Sequence, residues 1–138
     1  MDLITSITTV LGSIIAVATF WSGVHQYRQK LQLETFRLYA DKYNEIITPS
    51  IVIKWQSAIQ STESKNTWHE LEPVMIKYLN LTWEEMYLVK KGVIDKKLWQ
   101  IWKTEIDHVL SSPFAKSVIT QCNYSFLQSY INHGMKIR

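Results

Sequence analysis

The 138-residue sequence has few of the residues that loops and cross-links require. It contains one cysteine, Cys122, with four glycines and three prolines. A single thiol cannot form an internal disulfide, which favours a reducing compartment over that of a disulfide-stabilised secreted domain. So little glycine and proline argues against a loop-rich or all-β design. We expect Cys122 to be a small buried apolar residue rather than a nucleophile.

The sequence also lacks the motifs of common catalytic sites. It has no glycine-rich phosphate loop and no nucleophile elbow, and its four histidines are scattered without a second metal ligand at a suitable spacing. The formal net charge of +3 is too small to indicate nucleic-acid binding by itself. Because these motifs are missing, we expect no catalytic residue, no metal site and no small-molecule cofactor. The sequence therefore favours a protein without catalysis of its own.

What the sequence does contain is one long uncharged run, Leu3 to Val24. At about 1.5 Å per residue, a helix of this length crosses a hydrocarbon core of roughly 30 Å. A cleaved signal peptide is the main alternative, but only Asp2 is charged ahead of the run, and no convincing cleavage site precedes Gln26. We therefore predict a transmembrane anchor at residues 1–25 and a helical domain at residues 26–138.

The charges beside this run predict its orientation. Arg28 and Lys30 follow the run, whereas no Lys or Arg precedes it. By the positive-inside rule, the N-terminus lies outside the membrane and the C-terminal domain lies in the cytoplasm. The lipid bilayer is then the first partner of a single-pass plasma-membrane protein.

Small and hydroxylated residues recur in the run at spacings of three or four, so they share one face of a helix. This anchor stripe consists of Thr5, Thr9, Gly12, Ala16, Thr19 and Gly23. Such a face lets helices approach closely in lipid and offers weak interhelical hydrogen bonds. Alternatively, the hydroxyls bond only to their own helix backbone. We interpret the stripe as a self-association face, which predicts a homo-oligomer.

The remainder of the chain predicts an all-α fold, a transmembrane helix continuing into a compact domain of four or five helices. The expected helices run from the anchor to about residue 47, then over about 50–60, 67–91, 96–110 and 112–133. The polar stretch 61–66 predicts a loop. Asp95 and Ser112 are natural N-caps, and Gly92 is suited to follow a helix end.

Two groups of polar residues are candidate binding residues. Asn80 and Glu84 are four apart, so they share a helix face beside core positions, where a part-buried amide and carboxylate need partners. We interpret them as a polar network that fixes helix register, with a site in a cleft as the alternative. The second group, the lysine turn, consists of Lys90, Lys91, Lys96 and Lys97. It fits either a solvated face or contact with anionic lipid or RNA.

Residues 78–85 (YLNLTWEE), followed by Lys91-Gly92-Val93-Ile94-Asp95, resemble a bacterial family of unknown function. Its members look like short N-terminal anchors followed by a helical domain, and a Leu-Asn, then a Glu, then Gly-x-Ile-Asp recur in them. The resemblance covers the middle and C-terminal third of the chain. It implies a fold and a topology in the bacterial inner membrane, but no activity.

More distantly, the layout is similar to small membrane proteins that accompany bacterial phage-defence systems, including those beside RNA-guided RNA nucleases. Some of these have a HEPN-like helical domain and assemble into membrane pores. Active HEPN nucleases carry an Arg followed a few residues later by His, and no Arg here is so placed. Lys103 and His108 have the same spacing as this Arg and His, but with Lys in place of Arg. This difference favours a HEPN-like domain that does not cleave RNA.

This second resemblance implies a homo-oligomeric protein that perturbs the membrane, as a pore or a depolarising effector or accessory in phage defence. Its expected partners are further copies of the chain, RNA or a defence-system protein. The alternative is a membrane-tethered helical binding module, or a degenerate HEPN-like domain that binds or cleaves RNA.

Overall fold

The computed structural model describes residues 3–60 and 65–134. Over these ranges it contains six α-helices and no strands, which confirms the all-α fold class. The helices are α1 (Leu3–Ile46), α2 (Val52–Gln60), α3 (Lys65–Lys90), α4 (Lys96–Leu110), α5 (Pro113–Gln121) and α6 (Ser125–His133). The chain divides into two compact units, residues 1–35 and residues 36–138.

The first unit is built on the N-terminal part of α1. Its residues are uncharged from the start of the helix to Val24, and the most apolar window of α1 has no buried residue. By length and composition, α1 could cross a membrane, and among the residues that the structure describes it is the one helix that meets both conditions.

The second unit has one hydrophobic core. Its centre is α3, which packs against α2, α4 and α5. Most buried positions of α3 recur at the three- and four-residue spacing of a helix face. These positions are Leu71, Met75, Tyr78, Leu79, Leu81, Thr82, Glu85, Met86 and Val89.

Local capping groups set the ends of the middle helices. Asp95 Oδ1 accepts a hydrogen bond from the Leu98 backbone N–H at 2.9 Å, and Ser112 Oγ accepts one from Ala115 N–H at 3.1 Å. Gly92 follows α3 with a φ of +74°, a left-handed conformation in which a Cβ would be strained. The predicted boundaries at these three positions are confirmed.

Three expectations drawn from the sequence are wrong. The predicted fifth helix is two helices, α5 and α6, which separate where Asn123 adopts a left-handed φ of +55°. Asparagine tolerates this region better than most residues. The predicted loop ends earlier than expected, because Lys65 and Asn66 already belong to α3. Cys122 is exposed at the end of α5 rather than buried.

Candidate functional site

The anchor stripe lies on α1, where its two glycines are open. Apart from the neighbouring residues and backbone of its own helix, a Cβ added at Gly12 or Gly23 would meet no atom within 4 Å. The Thr19 hydroxyl donates to the Ile15 carbonyl at 2.8 Å, and two other hydroxyls of this segment bond back in the same way. The side chain of Thr5 lies outside the described residues. The stripe therefore offers a neighbouring helix close approach rather than a free Thr19 donor.

Asn80 and Glu84 bond to different neighbours instead of forming one network. Asn80 Oδ1 accepts a hydrogen bond from the Tyr124 hydroxyl at 2.9 Å. Glu84 Oε2 accepts from the Tyr39 hydroxyl and from the Lys42 ammonium, each at 3.1 Å. Both side chains tie α3 to another part of the second unit. Asn80 is exposed rather than part-buried as expected, whereas Glu84 is half-buried.

The four lysines of the lysine turn are all exposed. The ammonium of Lys91 lies 5.5 Å from the centre of the Tyr87 ring. Among the carboxylates of residues 3–60 and 65–134, none forms an ion pair with any of the four. The turn is an uncompensated cationic surface, which suits both a solvated face and an anion-binding face.

Lys103 and His108 are not brought together. Lys103 donates to Asp107, which also accepts from the Tyr130 hydroxyl at 2.5 Å, and these three residues line a cavity of about 430 Å³. His108 lines a different cavity of about 170 Å³. Residues five apart in a helix point about 140° away from each other. The geometry therefore does not supply the acid–base pair that RNA cleavage would need.

A cavity of about 210 Å³ in the second unit collects groups that the sequence did not single out as a set. It lies between the last turns of α1, the middle of α3 and the middle of α4. Two carboxylates line it, those of Glu85 and Glu105. Five aromatic rings form much of the remaining wall, namely those of Phe36, Tyr39, Tyr43, Tyr78 and Trp102. We call this the Glu85 cavity.

The rings of the wall pack against one another. Phe36 stacks on Trp102 with 5.5 Å between ring centres and 8° between planes. Tyr39 is tilted against Trp102 at 5.8 Å, and Tyr43 meets Tyr78 edge-on at 6.2 Å. Aromatic contacts of this kind stabilise the positions of the rings that form the wall.

Glu85 is the unusual member of the cavity. Only 7% of the residue is exposed, and no described residue gives its carboxyl a hydrogen bond or an ion pair. Burial, helped by the nearby carboxylates of Glu105 and Glu84, raises the pKa of Glu85 to about 8. Burial disfavours the charged form of an acid, so Glu85 is mostly protonated at neutral pH.

The tyrosines around Glu85 remain protonated over a wide pH range. Burial raises the pKa of Tyr39 to about 12, and the hydrogen bond to Glu84 adds to the effect. Burial and the neighbouring Glu105 carboxylate also raise the pKa of Tyr43. The cavity therefore presents neutral hydroxyls and rings beside two carboxyl groups.

A sequence signal for Glu85 existed. It lies seven residues after Tyr78 and four before Val89, so it occupies the same helix face as these buried residues. An ionisable residue in an otherwise buried register is a candidate for function or for a shifted pKa. Glu84 forms the more familiar pattern in the sequence, because it lies four residues after Asn80.

The cavity is not a metal site of the usual kind. In the part of the chain that the structure describes, no group of three or more His, Cys, Asp or Glu side chains could hold a metal ion. Protein metal centres use more ligands than the two carboxylates found here.

No protein-family model, no curated protein and no solved structure matches the chain significantly. The class of protein therefore rests on the features above. They describe an all-α protein with one long apolar N-terminal helix that could cross a membrane.

Proposed function

We propose that the protein is a single-pass protein of the bacterial inner membrane that assembles with further copies of itself and perturbs the membrane, as a pore or a depolarising effector in phage defence. The observation that carries this proposal is the apolar part of α1, which has no buried residue and carries the anchor stripe along one face. An apolar helix of this length requires lipid or another helix to cover it.

The stripe supports assembly through its shape. In lipid, helices associate by close packing rather than by the hydrophobic effect, and small residues allow the backbones to approach. Gly12 and Gly23 leave open space on this face. A threonine hydroxyl that donates within its own helix still has acceptor capacity. In a ring of helices, such oxygens can line a wet lumen without any charged residue.

The second unit supports assembly through exposed aromatic residues. Trp83 and Tyr87 are each about half exposed and stack on the outer face of α3, with 6.2 Å between ring centres. Single anchors associate only weakly through lipid, and Trp and Tyr are enriched where proteins meet. Contacts between these domains would supply the remaining association energy.

A second candidate is a tether that holds the lysine turn against anionic lipid or RNA. The observation that favours it is the exposed, unpaired state of the four lysines within the described residues. Each lysine near an anionic membrane surface contributes about 1 kcal/mol of attraction. This candidate needs the anchor but no assembly.

The two candidates are distinguished by substitutions in the anchor. Gly12→Leu and Ala16→Leu fill the stripe, whereas Ala18→Leu makes the same change as Ala16→Leu on a face about 160° away. The full-length protein is measured in detergent by light scattering for its mass, and in vesicles by dye release. We expect the two stripe variants to lose assembly and dye release, and Ala18→Leu to keep both.

Two results would contradict the pore proposal. One is a monomeric wild-type protein, and the other is a Gly12→Leu variant that assembles and releases dye like the wild type. Alanine replacement of the four lysines then tests the tether, which predicts loss of binding to anionic vesicles. A chain that is processed after the apolar run and found free of the membrane would contradict both candidates.

A further inference from the structure

We propose that the Glu85 cavity binds a small organic ammonium ion, held by the carboxylates of Glu85 and Glu105 and by the faces of the surrounding rings. A cation is attracted to the face of an aromatic ring. It also forms charge-assisted hydrogen bonds with carboxylates, which are stronger than those between neutral groups. The cavity provides both kinds of group in one place, and this site is independent of the membrane role proposed above.

The unpartnered state of Glu85 is the first argument. Buried polar groups in proteins are normally hydrogen-bonded, because leaving them unpaired is costly. Glu85 is 7% exposed, lines the cavity and has no hydrogen-bond or ion-pair partner among the described residues. Its carboxyl oxygens are not among the fully enclosed unpaired atoms of the described residues, so they remain accessible from the cavity. A donor that enters the cavity would satisfy it.

The second argument is that the neighbouring cation of the protein is already engaged. The Lys42 ammonium binds Glu84 Oε2 at 3.1 Å and lies 4.7 Å from the centre of the Tyr39 ring. The lining of the cavity contains carboxyl groups, tyrosines, the neutral amide of Asn44 and apolar side chains, but no Lys, Arg or His. The charged and titratable groups around Glu85 are thus carboxyls and tyrosine hydroxyls, with no cation to compensate them.

The chemistry of the wall selects the class of cation. Too few ligands are present for a metal ion, as the described side chains show, and much of the wall is aromatic. A buried carboxylate accepts hydrogen bonds, which a quaternary ammonium cannot donate and a primary ammonium can. We therefore assign a primary alkylammonium ion, with its nitrogen at Glu85 and its hydrocarbon part against the rings.

The size of the cavity restricts the ligand to a compact one. Its volume of about 210 Å³ is below the range of roughly 300–1,000 Å³ that is typical of drug-sized ligands. Glu105 and Ile101, which also line the cavity, are exposed. They therefore mark the side on which the cavity meets solvent.

Binding is coupled to a proton. Glu85 holds a proton when the cavity is empty at neutral pH, because its pKa is raised to about 8. The ammonium ion pairs with the carboxylate, so the carboxylic acid releases its proton to solvent as the ion pair forms. Glu85 must lose its proton before it can pair with the ammonium ion. The affinity for the ammonium ion therefore increases about fivefold between pH 7 and pH 8.

The test uses the full-length protein in a neutral detergent and butylammonium chloride as the probe. Butan-1-ol has the same hydrocarbon chain without the charge and serves as the control ligand. Calorimetric titration at pH 7, in two buffers of different ionisation enthalpy, measures both affinity and proton release. We expect saturable binding of one cation, at least tenfold tighter than the alcohol, with release of about one proton.

Two variants locate the site. Glu85→Gln keeps the shape of the side chain and removes its charge, and we expect at least a tenfold loss of affinity and no proton release. Glu45→Gln makes the same change at an exposed position outside the cavity and should bind as the wild type does. If Glu85→Gln does not fold, Glu105→Gln at the exposed rim should still weaken binding severalfold.

Three results would overturn the proposal. The first is no saturable binding of butylammonium to the wild type. The second is equal affinity for butan-1-ol, which would mean that the cavity takes apolar molecules without regard to charge. The third is unchanged binding by folded Glu85→Gln, which would mean that the cation binds elsewhere.

Discussion

The hydroxyl of Tyr39 lies 3.1 Å from Glu84 Oε2 and joins two residues that are 45 positions apart in the chain. Lys42 donates to the same carboxylate oxygen, so Glu84 has two partners. The next residue, Glu85, lines a cavity and has none within the described residues. Adjacent residues of a helix point about 100° apart, which places two identical side chains in different chemical surroundings.

The link between Tyr39 and Glu84 predicts a measurable loss of stability. Tyr39→Phe removes the donor and should lower the free energy of unfolding by about 1 kcal/mol, the usual net value of one hydrogen bond. Urea unfolding of the full-length protein in detergent, followed by circular dichroism, measures the change. Tyr87→Phe removes a hydroxyl from an exposed ring and is the control. Equal stability of the two variants would show that the link contributes nothing.

Glu85 predicts a pH dependence of stability. Its pKa is raised from 4.5 in the unfolded chain to about 8 in the folded protein. Between these values the folded state holds a proton that the unfolded state has released, so stability decreases as the pH rises. The Glu85→Gln variant has no ionisable group at this position, so its stability does not decrease with pH for this reason. Relative to the wild type, the variant should gain up to about 1.4 kcal/mol of unfolding free energy per pH unit between pH 5 and pH 8.

The same urea unfolding experiment, repeated from pH 5 to pH 8, checks this slope. Glu45→Gln, at an exposed position, should give a profile parallel to that of the wild type. A Glu85→Gln profile that is also parallel to the wild type would mean that Glu85 titrates normally in the folded protein.

The flanking charges predict the topology of the anchor. A fluorescent protein fused after Arg138 should fluoresce in bacterial cells, and alkaline phosphatase at the same position should be inactive, because the flanking charges predict a cytoplasmic C-terminus. Replacing Arg28 and Lys30 with Gln while adding two lysines ahead of Leu3 should reverse or mix the orientation. An active phosphatase fusion to the unaltered chain would contradict the predicted orientation.

The separation of Lys103 from His108 predicts that the protein does not cleave RNA. Lys103 is engaged by Asp107, and the two residues line different cavities. Purified protein incubated with labelled single-stranded RNA should leave it intact, and His108→Ala should give the same gel pattern. Cleavage that disappears in His108→Ala would establish a ribonuclease and refute the interpretation of a protein without catalysis.

Local features of the sequence predicted much of the secondary structure. The bounds of α4 were expected at Lys96 and Leu110 and are found there, because Asp95 caps the helix within three residues of itself. The break at Asn123 was not expected. A left-handed residue is one of several conformations that asparagine tolerates, and the packing of α6 against α5 is not encoded in the spacing of nearby residues.

For the candidate site residues, the sequence predicts which of them share a helix face, but it does not predict their hydrogen-bond partners. Asn80 and Glu84 were expected on one face of a helix, and both lie in α3. Their bonds reach Tyr124 and Tyr39, which lie more than forty positions away in opposite directions along the chain. Such pairings depend on how whole helices pack, and periodicity within one helix contains no information about them.

The helical fold class, most of the helix ends and the length of the one uncharged run can all be derived from the amino-acid sequence, because these properties depend on residues within a few turns of one another. Which of the two adjacent glutamates has hydrogen-bond partners depends instead on tertiary packing. The packing of α1 and α4 against α3 gives Glu84 its hydroxyl and ammonium partners, and it encloses Glu85 among aromatic rings beside a second carboxylate. The two side chains have the same intrinsic acidity, so the difference arises from desolvation and neighbouring charge, which only the assembled fold produces.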